Sequence, residues 1–391
     1  MFLFVFVGKK IISTDTIMPI ILEVKKAQPL IKVFFVTPDE KTHQDLSDNK
    51  TLYTFISEQC SIFRLGGLQG GRASKLIQSA TWLCVLGLIY LLMSIKKAKI
   101  IHFGLIEDKP RNVLAKFPDR IFYFENNGWG TAVFEDEIQA ISYDVKPPRI
   151  VKSSAHLVGF NKNWTIVSAP GNKNLTKYFL TPSKLWPSWK AYIDEIGPAQ
   201  WKAECEKFNI PEGQKAFLIV LGSLDGLPSF DMGSGPIDDI VIETINTISM
   251  AAPQIPIILK PHAITDKKRL LAIIASAKSQ NIHVTYLHPC VLASHVLGAI
   301  CNYYSTSLID LWHYKIPTIE YTRYSKEGLE ITGGGSMRPE YVDHFIEIGK
   351  VKELANIIKK YSEASPFKPI AVPEEILLSE DDKKLISTLV S

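Results

Sequence analysis

The chain has 391 residues, 46% of them apolar and 21% charged, with a formal net charge of +4. These proportions suit a folded enzyme of two domains and exclude a disordered chain, and the charge is too small and too dispersed for a nucleic-acid binder. Five scattered cysteines, Cys60, Cys84, Cys205, Cys290 and Cys301, form no C-x-x-C pair, which argues against a disulfide frame or a zinc site and suits a reducing compartment.

The run FLFVFVG (2–8) predicts a first core strand, because its lysines follow the apolar residues instead of preceding them as in a signal peptide. A helix beginning near Ser13 to Asp15 follows, then a strand over 31–37, a helix over TLYTFISEQC and a short strand in SIFRLGG. Residues 76–95, LIQSATWLCVLGLIYLLMSI, carry no charge and reach the lower length range of a membrane span. Gln78, Ser79 and Thr81 weaken the first turn, and the strand-like KIIHFGL (99–105) follows at once. The segment therefore reads as a buried or interfacial helix in a protein that is cytoplasmic, at most peripheral at the inner membrane face. RIFYFENNG (120–128) reads as a strand running into a polar loop.

Residues 151–215, rich in Pro, Gly and Trp, show no strand ladder and read as a connecting region between a first domain (1–150) and a second (216–350), with 351–391 a C-terminal helical segment. Within the second domain, strands are expected over 216–223, 255–262, IHVTYL, AICNYYS and IPTIEYT, with helices between them. Strands alternating with helices in both halves imply parallel sheets, so the fold class is α/β with two Rossmann-like, doubly wound domains. Such sheets bind ligands beyond the carboxyl ends of their strands. FENNG, GSLDG, KPHAITD and YSTS each follow a strand and so fall at that end.

Four groups of residues carry the chemistry there. Gly222 and Ser223 open the turn after the strand 216–223. Lys260 and His262 end ILKPH, with Pro261 stiffening the turn, and both side chains can donate to phosphate. Ser305, Thr306 and Ser307 stand at a strand–helix joint, where one hydroxyl suffices for a helix cap and three add donors for an anion. Glu320 ends a later strand and is a candidate for ribose hydroxyls; Gly333 to Gly335 permit a close backbone approach or a mobile lid, and Arg338 can add charge for phosphate.

KPH followed some forty residues on by YSTS resembles the bacterial sialyltransferases and polysialyltransferases of the GT-B architecture, in which a His-Pro motif and a Ser/Thr-rich motif hold the phosphate and cytidine side of a CMP-sugar. The resemblance covers the second half of the chain well and the first half in layout. It departs at Ala263, where the family has Pro, and at Asn127, where the family has a second acid. By that resemblance Glu125 in FENNG is the candidate base, with Glu135 and Asp136 in reserve. The implied protein is a metal-independent glycosyltransferase with no cofactor, a CMP-sugar substrate, and a surface-glycan acceptor that is either free or lipid-linked. Two other classes stay open: a CDP-glycerol or Kdo transferase or sugar-nucleotide epimerase on the same fold, and a non-catalytic scaffold.

Overall fold

The computed structural model describes residues 1–7, 11–37, 40–64, 72–104, 106, 111–124, 149–151, 154–159, 166–168, 176–222, 224–225, 236–262, 265–302, 305, 307–336, 339–363 and 377–391. The chain divides into two compact units.

The first unit falls within Met1–Gly130, Lys146–Ala191 and Ile376–Ser391. Its elements are β1 (Phe2–Phe6), α1 (Ile11–Ala27), β2 (Lys32–Thr37), α2 (Glu40–Asp48), α3 (Lys50–Gln59), β3 (Ser61–Arg64), α4 (Arg72–Ser94), β4 (Ala98–His102), β5 (Ile121–Phe124), β6 (Arg149–Val151), β7 (His156–Gly159), β8 (Ile166–Ser168), β9 (Thr176–Phe179) and the start of α5 (Pro187–Phe208). Seven strands pair in parallel in the order β3-β2-β1-β4-β5-β7-β9, and β6 and β8 form a separate pair. The central strand β1 reads as an unbroken apolar run because both its faces are covered. Phe4 and Phe6 share a core with Leu86, Ile89 and Met93 of α4, and Leu3 and Val5 are buried as well.

The second unit, within Tyr192–Glu375, takes up the rest of α5. It continues with β10 (Ala216–Val220), α6 (Asp238–Ala251), β11 (Ile257–Lys260), α7 (Lys267–Ser276), β12 (Ile282–Val284), α8 (Pro289–Ala293), β13 (Val296–Cys301), α9 (Ser307–His313), β14 (Thr318–Thr322), α10 (Lys326–Ile331), β15 (His344–Glu347) and α11 (Val351–Ser362). Its six strands are parallel in the order β12-β11-β10-β13-β14-β15. The chain builds outward from β10 to one side, then crosses back and builds outward from β13 on the other. That is the doubly wound nucleotide-binding order, with its switch point between β10 and β13. The first sheet has the same reversal between β1 and β4.

The Rossmann-like fold class read from the sequence is the one observed. The boundaries differ. Residues 151–191 are no mere connector: β7 and β9 extend the first sheet, with His156 stacked on Phe122 of β5 at 4.3 Å between ring centroids. The C-terminal segment also divides. α11 packs on the second unit, with Leu354 and Ile358 in its core, whereas α12 (Glu380–Val390) returns to the first. A capping box starts α12: Asp382 N–H donates to Ser379 Oγ at 3.1 Å, and Ser379 N–H donates to Asp382 Oδ2 at 2.7 Å. The same carboxylate accepts from Thr181 N–H at 3.1 Å and Thr181 Oγ1 at 2.6 Å, fastening the helix beyond the end of β9.

One ion pair inside the first unit is buried. Lys184, 2% exposed, meets Asp15 of α1, and the adjacent Ser183 donates to the Thr16 carbonyl at 2.7 Å. Removing one member of such a pair leaves an uncompensated buried charge. Asp15→Ala is expected to lower the unfolding free energy by about 3 kcal/mol, read from the urea midpoint. An unchanged midpoint would show that Lys184 finds water in the variant.

Candidate functional site

Parallel register aligns four residues across the carboxyl end of the second sheet. Val220 pairs with Lys260 on one side and with Cys301 on the other, and Cys301 pairs with Glu320. Residues in register point to the same face. The opposite face is the one whose core holds Phe217, Ile219, Leu259, Ile300, Ile319 and Tyr321. The row thus carries a lysine and a glutamate at its two ends, about 14 Å apart at ~4.8 Å per strand. The switch point lies in the middle of the row.

Each loop leaving this row is fastened by the residues around it. Beyond β10, Gly222 is buried and Leu221 N–H donates to the Lys260 carbonyl at 3.0 Å. The turn that follows is held by Arg269 of α7, which donates to the Leu224 carbonyl at 3.0 Å and to Asp238 Oδ1 at 2.7 Å, and also grips Asp225. Its hydrogen bonds hold the Asp238 carboxyl below the usual carboxylate range. Beyond β11, Lys260 is half-buried, Pro261 is buried and His262 is exposed. The His262 carbonyl accepts from Thr265 N–H at 3.0 Å, and Asp266 then caps α7 through Arg269 N–H at 2.8 Å. Thr265 N–H thus ties the start of α7 back to His262, whose side chain is exposed.

Beyond β13, Ser305 Oγ accepts from Ser307 N–H at 3.3 Å, so one of the three hydroxyls serves the start of α9. Ser305 and Ser307 are both half-buried. The turn is anchored by Asn302, which is fully buried: its Nδ2 donates to Thr244 Oγ1 at 2.7 Å and to the Tyr321 carbonyl at 3.2 Å, and its carbonyl accepts from Thr322 Oγ1 at 3.0 Å. Neither Arg269 nor Asn302 was singled out from the sequence. An Asn directly after an apolar strand was the available signal; for Arg269 there was none, since its partners lie on other elements.

Glu320 is buried, and its two oxygens accept from Tyr324 and Ser336 hydroxyls. The carboxylate therefore ties β14 to the segment after the glycines. Those glycines end α10. Gly333 and Gly334 have φ of +62° and +80°, with Gly334 N–H donating to the Leu329 carbonyl at 2.7 Å and Gly333 N–H to Glu330 at 3.3 Å. This double bond is a Schellman cap, a helix stop, in place of the lid or close-approach loop expected of three glycines. The structure thus brings Gly222, Lys260, His262, Ser305, Ser307 and Glu320 to one edge of one sheet. Ser223, Thr306, Arg338, Glu125, Glu135 and Asp136 lie outside the described residues.

Among the described residues, one buried group has the composition of a metal site: His288, Cys290 and Asp310, with ligand atoms within 4.8 Å of one another. Its hydrogen bonds point elsewhere. His288 Nδ1 accepts from Cys290 N–H at 3.2 Å, which places the ring proton on Nε2, and Cys290 Sγ donates to Asp310 Oδ1 at 3.4 Å. In that tautomer neither ring nitrogen has a lone pair left for an ion.

No protein-family model matches the chain, and no characterised relative matches its sequence. Solved structures do match its fold. UDP-GlcNAc 2-epimerase from Neisseria meningitidis, bound to UDP-GlcNAc, superposes with a TM-score of 0.52 at 13% identity, covering 100% of this chain and 99% of the other. Arabidopsis thaliana UGT89C1 complexed with UDP superposes with a TM-score of 0.51 at 11% identity, covering 100% of both chains. At these identities the likeness is one of fold, and it is to the two-domain, Rossmann-like GT-B class.

Proposed function

We propose that this chain is a glycosyltransferase that takes its sugar from a nucleotide-activated donor. One observation carries the reading. Lys260, His262, Ser305 and Ser307 leave the carboxyl end of a doubly wound sheet on the two sides of its switch-point strand β10, where sheets of this order hold their ligands. An ammonium group, an imidazole N–H and hydroxyls are the donors that a departing phosphate requires as it gains charge. A carboxylate, Glu125 in this reading, removes the acceptor hydroxyl proton while that oxygen attacks the anomeric carbon. No metal is required, because protein donors hold the leaving group.

The paired KPH and YSTS motifs favour a CMP-activated acidic sugar and a surface-glycan acceptor, free or lipid-linked. A UDP-sugar is the second reading, since both solved structures above are described with a uridine nucleotide. In that case glycosyl transfer and epimerisation are separated by whether a sugar acceptor is consumed. The test is calorimetry and thermal unfolding with CMP, CDP, UDP and GDP. A ligand held at 100 times its Kd stabilises the folded state by about 2.7 kcal/mol, so the preferred nucleotide stands out in melting temperature. CMP is expected to raise it most. A preference for UDP with CMP silent replaces the CMP-sugar reading, and silence from all four overturns the nucleotide-sugar reading itself.

A further inference from the structure

From Trp82 to Met93, α4 carries no charged residue on any side, and the first unit buries only one side of this stretch. Leu86, Ile89 and Met93 are buried in the core. On the other side Leu83, Leu88, Leu91 and Ile95 are 62%, 47%, 57% and 51% exposed. Cys84 and Gly87 are exposed between them. At 100° per residue these positions cover an arc of about 140°, and no charged residue interrupts it. Val113, on the 3-10 turn Arg111–Lys116, is 39% exposed.

The rim of this patch is cationic and aromatic. Lys116 Nζ lies 6.0 Å from the centre of the Tyr90 ring, whereas Trp82 stacks on Phe6 on the core side of the helix, with the Arg111 guanidinium 5.3 Å from its ring centre. Lys96 and Lys97 are exposed directly after the helix.

We propose that this face of α4 docks on the surface of an anionic phospholipid bilayer. An apolar strip this long on one helix marks an interaction surface. Its basic border selects a negatively charged partner, and a Tyr beside a basic group is a side chain that settles at headgroup depth. The mode is interfacial, with the strip sunk into the headgroup boundary. No helix among the described residues is long and apolar enough to cross a membrane. The inference uses the first unit alone and stands independently of the nucleotide-sugar reading.

The test is co-sedimentation of the full chain with vesicles of phosphatidylglycerol and phosphatidylcholine, against vesicles of phosphatidylcholine alone. Binding is expected to the anionic vesicles and to fall in high salt. Leu88→Glu and Leu91→Glu each replace an exposed apolar side chain, so the melting temperature should hold while the partition coefficient drops about tenfold or more. Lys96→Gln and Lys97→Gln should each weaken binding about fivefold at low salt. Equal binding to both vesicle types, absence of binding, or binding unchanged in all four variants overturns the proposal. So does a vesicle-inert protein that is dimeric and becomes monomeric on Leu91→Glu, which would assign the face to a second copy of the chain.

Discussion

His262→Ala is expected to keep the melting temperature of the parent and to lose about a hundredfold or more in turnover, the scale of one missing transition-state donor. The structure makes the first half of this expectation specific. The ring is exposed, and the turn around it is held by main-chain atoms, the His262 carbonyl with Thr265 N–H and the Lys260 carbonyl with Leu221 N–H. Alanine keeps all of these. The loss should therefore appear in kcat, because a group that acts on the departing phosphate works hardest when that charge develops. A change confined to KM would make the imidazole a ground-state contact. Wild-type turnover would show that it has no part in the reaction.

Glu125→Gln is expected to cost about two to four orders of magnitude in transfer, the usual price of a missing general base, while nucleotide binding persists. Glu125 is the next residue after β5, which ends at Phe124 at the carboxyl edge of the first sheet. Glutamine preserves its shape and removes its capacity to take a proton. Single-turnover transfer with the donor found by the nucleotide screen, alongside calorimetry of the same variant, separates the two effects. Normal transfer by Glu125→Gln with loss in Asp136→Asn moves the base along the chain and leaves the mechanism standing. A wild type inert with every CMP-, CDP- and UDP-activated donor would leave a scaffold that has kept the fold without the chemistry.

Much of the fold was legible because central parallel strands are buried on both faces and so stand out as short uninterrupted apolar runs. FLFVF, IFYF and AFLIV are of this kind, and each is a strand. The ligand edge was legible for the same reason: once the strands are known to be parallel, the residue after each one is known to lie at the same end. That argument alone brought together Lys260, His262, Ser305 and Glu320; the register sets Lys260 and Glu320 on one row, and the strands that precede His262 and Ser305 end at that row.

The edge of the first sheet was not legible. β7 and β9 are four residues each and include His156, Thr176 and Lys177, so no local run announces them. They are strands because β5 offers a pairing edge and because Tyr178 reaches Thr388 of α12 at 3.3 Å, far along the chain. Nothing local in the sequence marks Lys184 as buried; folding places Asp15 against it. Nothing local in the sequence showed that Glu320, a candidate for ribose hydroxyls, would also accept from Tyr324 and Ser336, one at each carboxylate oxygen.

α4 shows the division most plainly. Its sequence determined that residues 76–95 would form an apolar helix, since they carry no charge and no proline and a strand-like run follows at once. Being apolar all round, it carried no periodicity to say which side would face inward. Only the sheet decided that, by drawing Leu86, Ile89 and Met93 against Phe4 and Phe6 and leaving Leu83, Leu88, Leu91 and Ile95 outside. A pattern within one segment fixes that segment's conformation through local backbone geometry. Which face is covered, which charge is paired and which carboxylate is engaged depend on atoms brought in from elsewhere in the chain.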